Sequence, residues 1–472
     1  TAKYTANSSD TEGNVTYSIA FSDINSVAGV PVTSGSGSVA FDKTVPTLSG
    51  VSIASNNATS TLAKANDIIT LTFTSSEAIA SPNVIFLSGG DAINGSVTAT
   101  NTSGNTWTAV YTGNSSDSNG AIAYSIAFSD LYGNPGTAVT SGSGSVTFDK
   151  TSPTIAITAT EVNDGDSSNN STITLIFTSS EATTNFAYGD VVVSGGTLSE
   201  FASVSTTVYT AIFTPSSAGA TTINIAAGVF TDATGNPNTI ADEFNWTYDN
   251  VIPTMTITSS TVSSGTTTND SSIALTFTSS EVTADFVVGD ITVTNGVISN
   301  FSGSGTTYTA TFTPSTDGLT TVDVESGEFT DSVGNANPAV TQFTWTSDQT
   351  APVLTQVTAI ATPANDTTPS YIFTTGEAGT ITTSISEGFS TSNSATIGTD
   401  QTITFNVLPE GTYTGKTITV SDAYGNASSL TIPAFTIDIT PPTISAIETS
   451  TFSWGSVLNS TEDDSDGIVT VT

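Results

Sequence analysis

The chain has 472 residues, with 42 acidic side chains against five lysines, no arginine and a formal net charge of −37. Clustered Lys and Arg are what release counterions from nucleic-acid phosphates and draw proteins to anionic lipid, so the first partner is excluded and the second disfavoured. Cysteine and histidine are also missing, which removes disulfides, thiolate metal sites and the usual general base, and leaves oxygen ligands suited to hard cations such as Ca²⁺.

Abundant Thr, Ser, Gly, Val and Ile is the composition of strands and turns. No apolar run is long enough for a transmembrane helix, and no signal peptide is visible, so no membrane insertion is expected in this segment. One phrase punctuates the chain five times, over 41–47, 148–154, 248–254, 347–353 and 437–443: an aspartate at a strand end, then a proline four residues on. Proline fixes φ and cannot continue a ladder, so each phrase closes a strand and stiffens the exit. A spacing of about 100 residues is one small domain per repeat.

In chain order, residues 1–42 match the tail of the next repeat, 4–10 against 111–117 and 17–23 against 124–130. They are expected to be the C-terminal part of a domain, in an excerpt of a longer repetitive protein. Full repeats follow at 43–149, 150–249, 250–348 and 349–438, and 439–472 begins a further one. Within 250–348, alternation of period two places strands at 255–258, 272–278, 290–294, 297–301, 308–313, 320–325 and 342–347, separated by turn clusters such as 259–270. Seven short strands without helical periodicity predict an immunoglobulin-like β-sandwich with Ile273, Leu275, Phe277, Val293, Tyr308, Phe312, Val322 and Trp345 facing inward. The fold class is therefore all-β: tandem seven-stranded immunoglobulin-like sandwiches forming an extended rod.

Three acidic positions return in every full repeat. One is the connector aspartate (Asp42, Asp149, Asp249, Asp348, with Asp438 after the last repeat). The second ends the second strand (Glu77, Glu181, Glu281, Glu377). The third opens an Asp-x-x-Gly-Asn turn (Asp130, Asp232, Asp331, Asp422). If the first strand runs away from the connector, the second and sixth return to it, so all three acids meet at one end of the domain. A loop of the preceding domain should reach the same joint with Asp67, Asp164 or Asp166, Asp270 or Asp366. Carboxylates converging this way repel unless a cation sits among them, and Ca²⁺ takes six to eight oxygens of this kind. The competing account is that the acids mark exposed loops and Asp-x-x-Gly-Asn is an ordinary turn.

The run 285–296 leading to 330–335, and its twin between Asn185 and Asn236, resemble bacterial Ig-like repeats of giant surface adhesins. The resemblance covers the four full repeats and is strongest over 150–348. It implies calcium that rigidifies a chain of domains through Asp-x-Thr-x-Pro connectors, and an extracellular, cell-surface location. The same module occurs in surface-layer proteins and motility-linked surface giants. The last piece, with its acidic loop at 458–467, looks like a different Ig-like subtype whose loop either holds calcium or is a solvated turn.

Enzyme chemistry is poorly supported, because the acids repeat identically where a carboxylate pair would need one unusual site. Lys–Asn isopeptide crosslinks fail on lysine count, with Lys64 and Lys416 the exceptions. Trp107, Trp246 and Trp345 suggest sugar stacking, but Trp246 and Trp345 fall in the last strand and are placed in the core. The expected function is a calcium-stiffened stalk whose partners are calcium and the neighbouring repeats. A self-assembling surface-layer or filament subunit, with copies of itself as partner, is the alternative. No receptor is legible.

Overall fold

A computed structural model describes residues 1–443, in two compact units, Thr1–Val251 and a second that begins at Ile252. The further repeat proposed for 439–472, including the acidic loop at 458–467, lies outside the described residues from 444 onward.

Within the first unit, residues 150–249 fold as two facing four-stranded sheets. One runs Ile155–Ala159, Ile173–Ser179, Val208–Pro215, Gly196–Ser203; the other runs Ser167–Ser168, Phe244–Tyr248, Gly219–Ile225, Val191–Ser194. Alternating residues supply the inner faces. Ile173, Leu175 and Phe177 are fully buried while Thr174 and Ile176 are not, the pattern expected of strands covered on one side. Phe213 meets Trp246 edge-on at 6.0 Å and Phe186 meets Tyr209 at 5.0 Å. Each such fully buried large side chain contributes roughly 1.5–3 kcal/mol of transfer free energy. Residues 43–149 repeat the plan, with Leu48–Ser55, Ile68–Ser75, Thr106–Thr112 and Thr98–Ser103 facing a five-stranded sheet in which Thr147–Phe148 lies between Leu62–Ala63 and Gly120–Ala127. Residues 1–42 pair only Gly13–Asn14 with Ala40–Phe41 as strands, and Ile19 and Phe21 are more than half exposed.

The second unit holds the twin of 150–249. In 250–348 all seven expected strands form, and every residue expected inside is buried except Val293, which packs half-buried against the core. An eighth strand was not expected. Thr267–Thr268, inside the turn cluster, pairs parallel with Phe343–Ser347 and carries the chain from one sheet to the other. Asp290, placed in a strand by its pattern, instead ends a 3₁₀ turn at Val288–Asp290 and accepts the Val287 N–H. Residues 349–438 form a third variant, in which Gly411–Tyr413 pairs antiparallel with Phe435–Ile437 as its own two-stranded sheet. Among the described residues, each of the four hydrophobic cores is contained within one repeat, and Trp107, Trp246 and Trp345 are all in them.

Candidate metal centre

Strand pairing decides where the acids lie. Ile155 pairs with Ser179, so the second strand of 150–249 ends beside the start of the domain, and Glu181 follows directly. A single bridge, Thr183 with Asp232, brings the Asp-x-x-Gly-Asn turn to the same place. Asp149 arrives from the connector, its own N–H donating to Ala63 at 2.8 Å. Carboxylate oxygens of Asp149, Glu181 and Asp232 all lie within 4.8 Å of one another, and so do those of Asp42, Glu77 and Asp130.

The turn is built around its aspartate. Asp232 Oδ1 accepts the N–H groups of Thr234, Gly235 and Asn236 at 2.8, 2.6 and 2.9 Å. Asn236 Nδ2 donates to Asp232 Oδ2 at 2.9 Å and to the Asp149 carbonyl at 3.0 Å, tying turn to connector. Asn134 does the same for Asp130 and Asp42, and Asn426 for Asp422 and Asp348. This is the ordinary turn chemistry of Asp and Asn, used here to aim a carboxylate.

The glutamates stand differently. Glu181 Oε1 is buried and has no hydrogen-bond partner. Burial pushes the Glu181 carboxyl above its usual range, and the charges of Asp149 and Asp232 push it further. Glu77 is raised by burial and by Asp42, Asp130 and Glu12; Glu377 is raised by burial and by Asp348, Asp422 and Asp317. Asp130 goes the other way: burial alone would raise it, but bonds from Asn134, Tyr132 and Gly133 hold it low. A buried carboxylate oxygen without a donor, beside two further carboxylates, offers the kind of oxygen ligands that a hard cation takes.

The remaining acids divide. In the second unit Glu281 and Asp331 approach within 4.8 Å, and Asp331 accepts from Val333 and Asn335. Asp249, in the first unit, caps its own connector by accepting from Val251 at 3.0 Å. Asp348, Glu377 and Asp422 share a neighbourhood without closing to the spacing of the other groups. Asp67 is held in its own loop, accepting from Asn57 and Lys64, outside the Asp149 group. Asp164 accepts from Asn245, Asp166 from Asn163, Asp270 from Thr268 and Asp366 from Thr368. Asp438 accepts from Thr440.

One position was missed by sequence reasoning. Glu12, Asn119, Asp317 and Glu410 each precede a glycine with positive φ (Gly13, Gly120, Gly318 and Gly411) and turn back onto the connector. Glu12 accepts from Lys43 N–H and Thr44 Oγ1 at 3.1 and 2.8 Å. Asn119 accepts from Lys150 N–H and donates to Asp149 Oδ1. Asp317 accepts from Gln349 N–H and Thr350, and Glu410 from Thr440. The signal that could have found them is an acid or amide before the strand-opening glycine, together with Thr two residues after the connector aspartate.

Among the described residues no helix is long and apolar enough to cross a membrane. No curated protein matches the chain. Among solved structures it is similar to invasin, a bacterial integrin-binding protein, at 15% identity over 83% of this chain and 79% of that one, with a TM-score of 0.34. It is similar to a tetra-tandem repeat in the extending region of a large adhesion protein (18% identity, 79% and 96% covered, TM-score 0.27). InvD of Yersinia pseudotuberculosis matches at 16% identity over 61% of this chain and 98% of its own, with a TM-score of 0.27. The bacterial Ig-like domain pattern matches residues 149–248 and 249–347, and its group 3 pattern matches 399–471. With these matches spanning more than half of its length, the chain belongs to the bacterial Ig-like domain family.

Proposed function

We propose that the chain is a non-catalytic structural segment of an extracellular bacterial surface adhesin, with Ca²⁺ stiffening the joints between its domains. The supporting observation is the buried, unpartnered Glu181 Oε1 facing Asp149 and Asp232. Three ionised carboxylates at this spacing repel at neutral pH, and a divalent ion turns that repulsion into coordination. Asp149, Glu181 and Asp232 would hold one ion and Asp42, Glu77 and Asp130 another. By sequence pattern, Asp348 with Glu377 and Asp422 is proposed to act alike. Because Asp149 belongs to the connector and the other two to the domain that follows, the ion would fix the exit angle of the chain.

Calorimetric titration of the full chain tests this at about 0.15 M NaCl, where diffuse attraction of cations to the net charge is screened. Saturable calcium uptake at several sites is expected, with Mg²⁺ weaker, and Glu77→Gln and Glu181→Gln should each abolish one site. Uptake that is unsaturable, or equal in the two variants and the parent, sinks the reading.

A further inference from the structure

A second, polar contact joins 43–149 to 150–249, on the carbonyl side of the turn whose N–H groups hold Asp232. The loop between Ile53 and Ile68 reaches the Asp232 turn. There Asn57 Nδ2 donates to the Thr234 carbonyl at 3.0 Å and Lys64 Nζ to the Gly235 carbonyl at 2.6 Å. Asp67 organises both donors: its Oδ2 accepts from Asn57 Nδ2 at 2.8 Å and from the Lys64 N–H at 2.9 Å.

The turn is shaped to receive them. Thr234 is 5% exposed, whereas Tyr132 and Tyr424, at the same place in their turns, are 64% and 43% exposed. A Cβ on Gly235, whose φ is +91°, would stand 3.1 Å from Lys64 Nζ, so the lysine packs where a side chain would project. At the corresponding turn of the second unit, Asn269 of the preceding repeat comes to 3.4 Å of such a Cβ on Gly425, without a lysine. The two gripped carbonyls belong to the peptides whose N–H groups, Gly235 and Asn236, donate to Asp232 Oδ1. A cationic donor on one side of these peptides and a carboxylate on the other strengthen each other through the polarised amides.

We propose that Lys64 and Asn57, positioned by Asp67, form a cation-independent clasp that holds 43–149 to 150–249 when the acidic joint carries no metal. Lys64 is one of five basic side chains in the whole protein. Its ammonium supplies a covalently tethered positive charge at this joint. The clasp keeps this joint ordered on chelation.

The chain lacks cysteine, so Thr100→Cys and Ser199→Cys, exposed strand positions in the two domains, take spin labels in the full chain. Inter-label distances are read by double electron–electron resonance in EDTA. A narrow distribution is expected for the parent and for Lys64→Arg, and a broadened one for Lys64→Met. Asn57→Ala, which leaves the lysine in place, is expected to broaden it too and serves if Lys64→Met melts its domain. The clasp is refuted if the parent in EDTA is already as broad as Lys64→Met, or if neither variant broadens the distribution.

Discussion

If the joint binds calcium as proposed, Glu181 carries opposite signs in its metal-free and metal-bound states. Without metal, burial and the charges of Asp149 and Asp232 raise its pKa, so at neutral pH the folded state holds an ionised group it would rather protonate. Glu181→Gln removes that repulsion and should stabilise metal-free 150–249. With calcium at a hundredfold over Kd, a bound site adds roughly 2.7 kcal/mol, most of which the variant should lose. Hydrogen exchange at the Asp232 turn in calcium-free and calcium-loaded chain reads both arms, and the same sign in both would contradict the cation role. The three recurring acids were legible because each repeats at a fixed place in a strand-and-turn pattern. Asn119 and Glu12 were not, since their direction depends on the positive φ of the glycine that follows. Asp67 was legible as an acid near the joint but not as the residue that orients Asn57 and Lys64, because that depends on which way its side chain points.

At the scale of elements, strands that alternate apolar and polar residues over five or more positions could be read directly, as Ile273–Ser279 shows. Thr267–Thr268 could not, since two threonines in a Ser/Thr/Asn run carry no period. The long return to the last strand hides another device. Asn238, 3% exposed, accepts the N–H groups of Val229 and Phe230 at 2.8 and 3.0 Å and donates to the Ala226 and Thr239 carbonyls. Asn337 repeats this with Phe329, Glu325 and Pro338. In sequence both are further asparagines after a turn, indistinguishable from solvated ones. Asn238→Ala leaves several buried groups unpaired, each worth about 1–3 kcal/mol, so 150–249 should lose on the order of 3 kcal/mol or more. For a domain of this size 1 kcal/mol is roughly 4–8 °C. A thermal transition of 150–249 lowered by less than that would show that water replaces the amide.

Across the whole molecule, two sets of carboxylates pull the pH dependence in opposite directions. Glu77, Glu181, Glu377 and Asp348 are raised, first by burial and then by neighbouring charges. A raised carboxyl contributes stability below its unfolded pKa and loses it as pH rises through the folded one. Asp130, Asp331 and Asp422 are lowered because turn N–H groups and an asparagine amide outweigh burial. Their contribution is present above the unfolded pKa and lost as pH falls through the folded one. Between these windows, in the ordinary carboxylate range of about pH 4 to 5, the metal-free chain should be most stable, with the self-repulsion of its net charge of −37 adding to the decline toward neutral pH. Calcium bound as proposed would coordinate the raised glutamates in their ionised form, which would convert them into groups stabilising above their unfolded pKa and make protons its competitors. Scanning calorimetry from pH 3 to 8 should therefore show the stability optimum move from mildly acidic in calcium-free buffer to near neutral in calcium. An optimum that stays at one pH in both conditions would mean that the raised glutamates do not meet the ion, and that the joints answer to net charge alone.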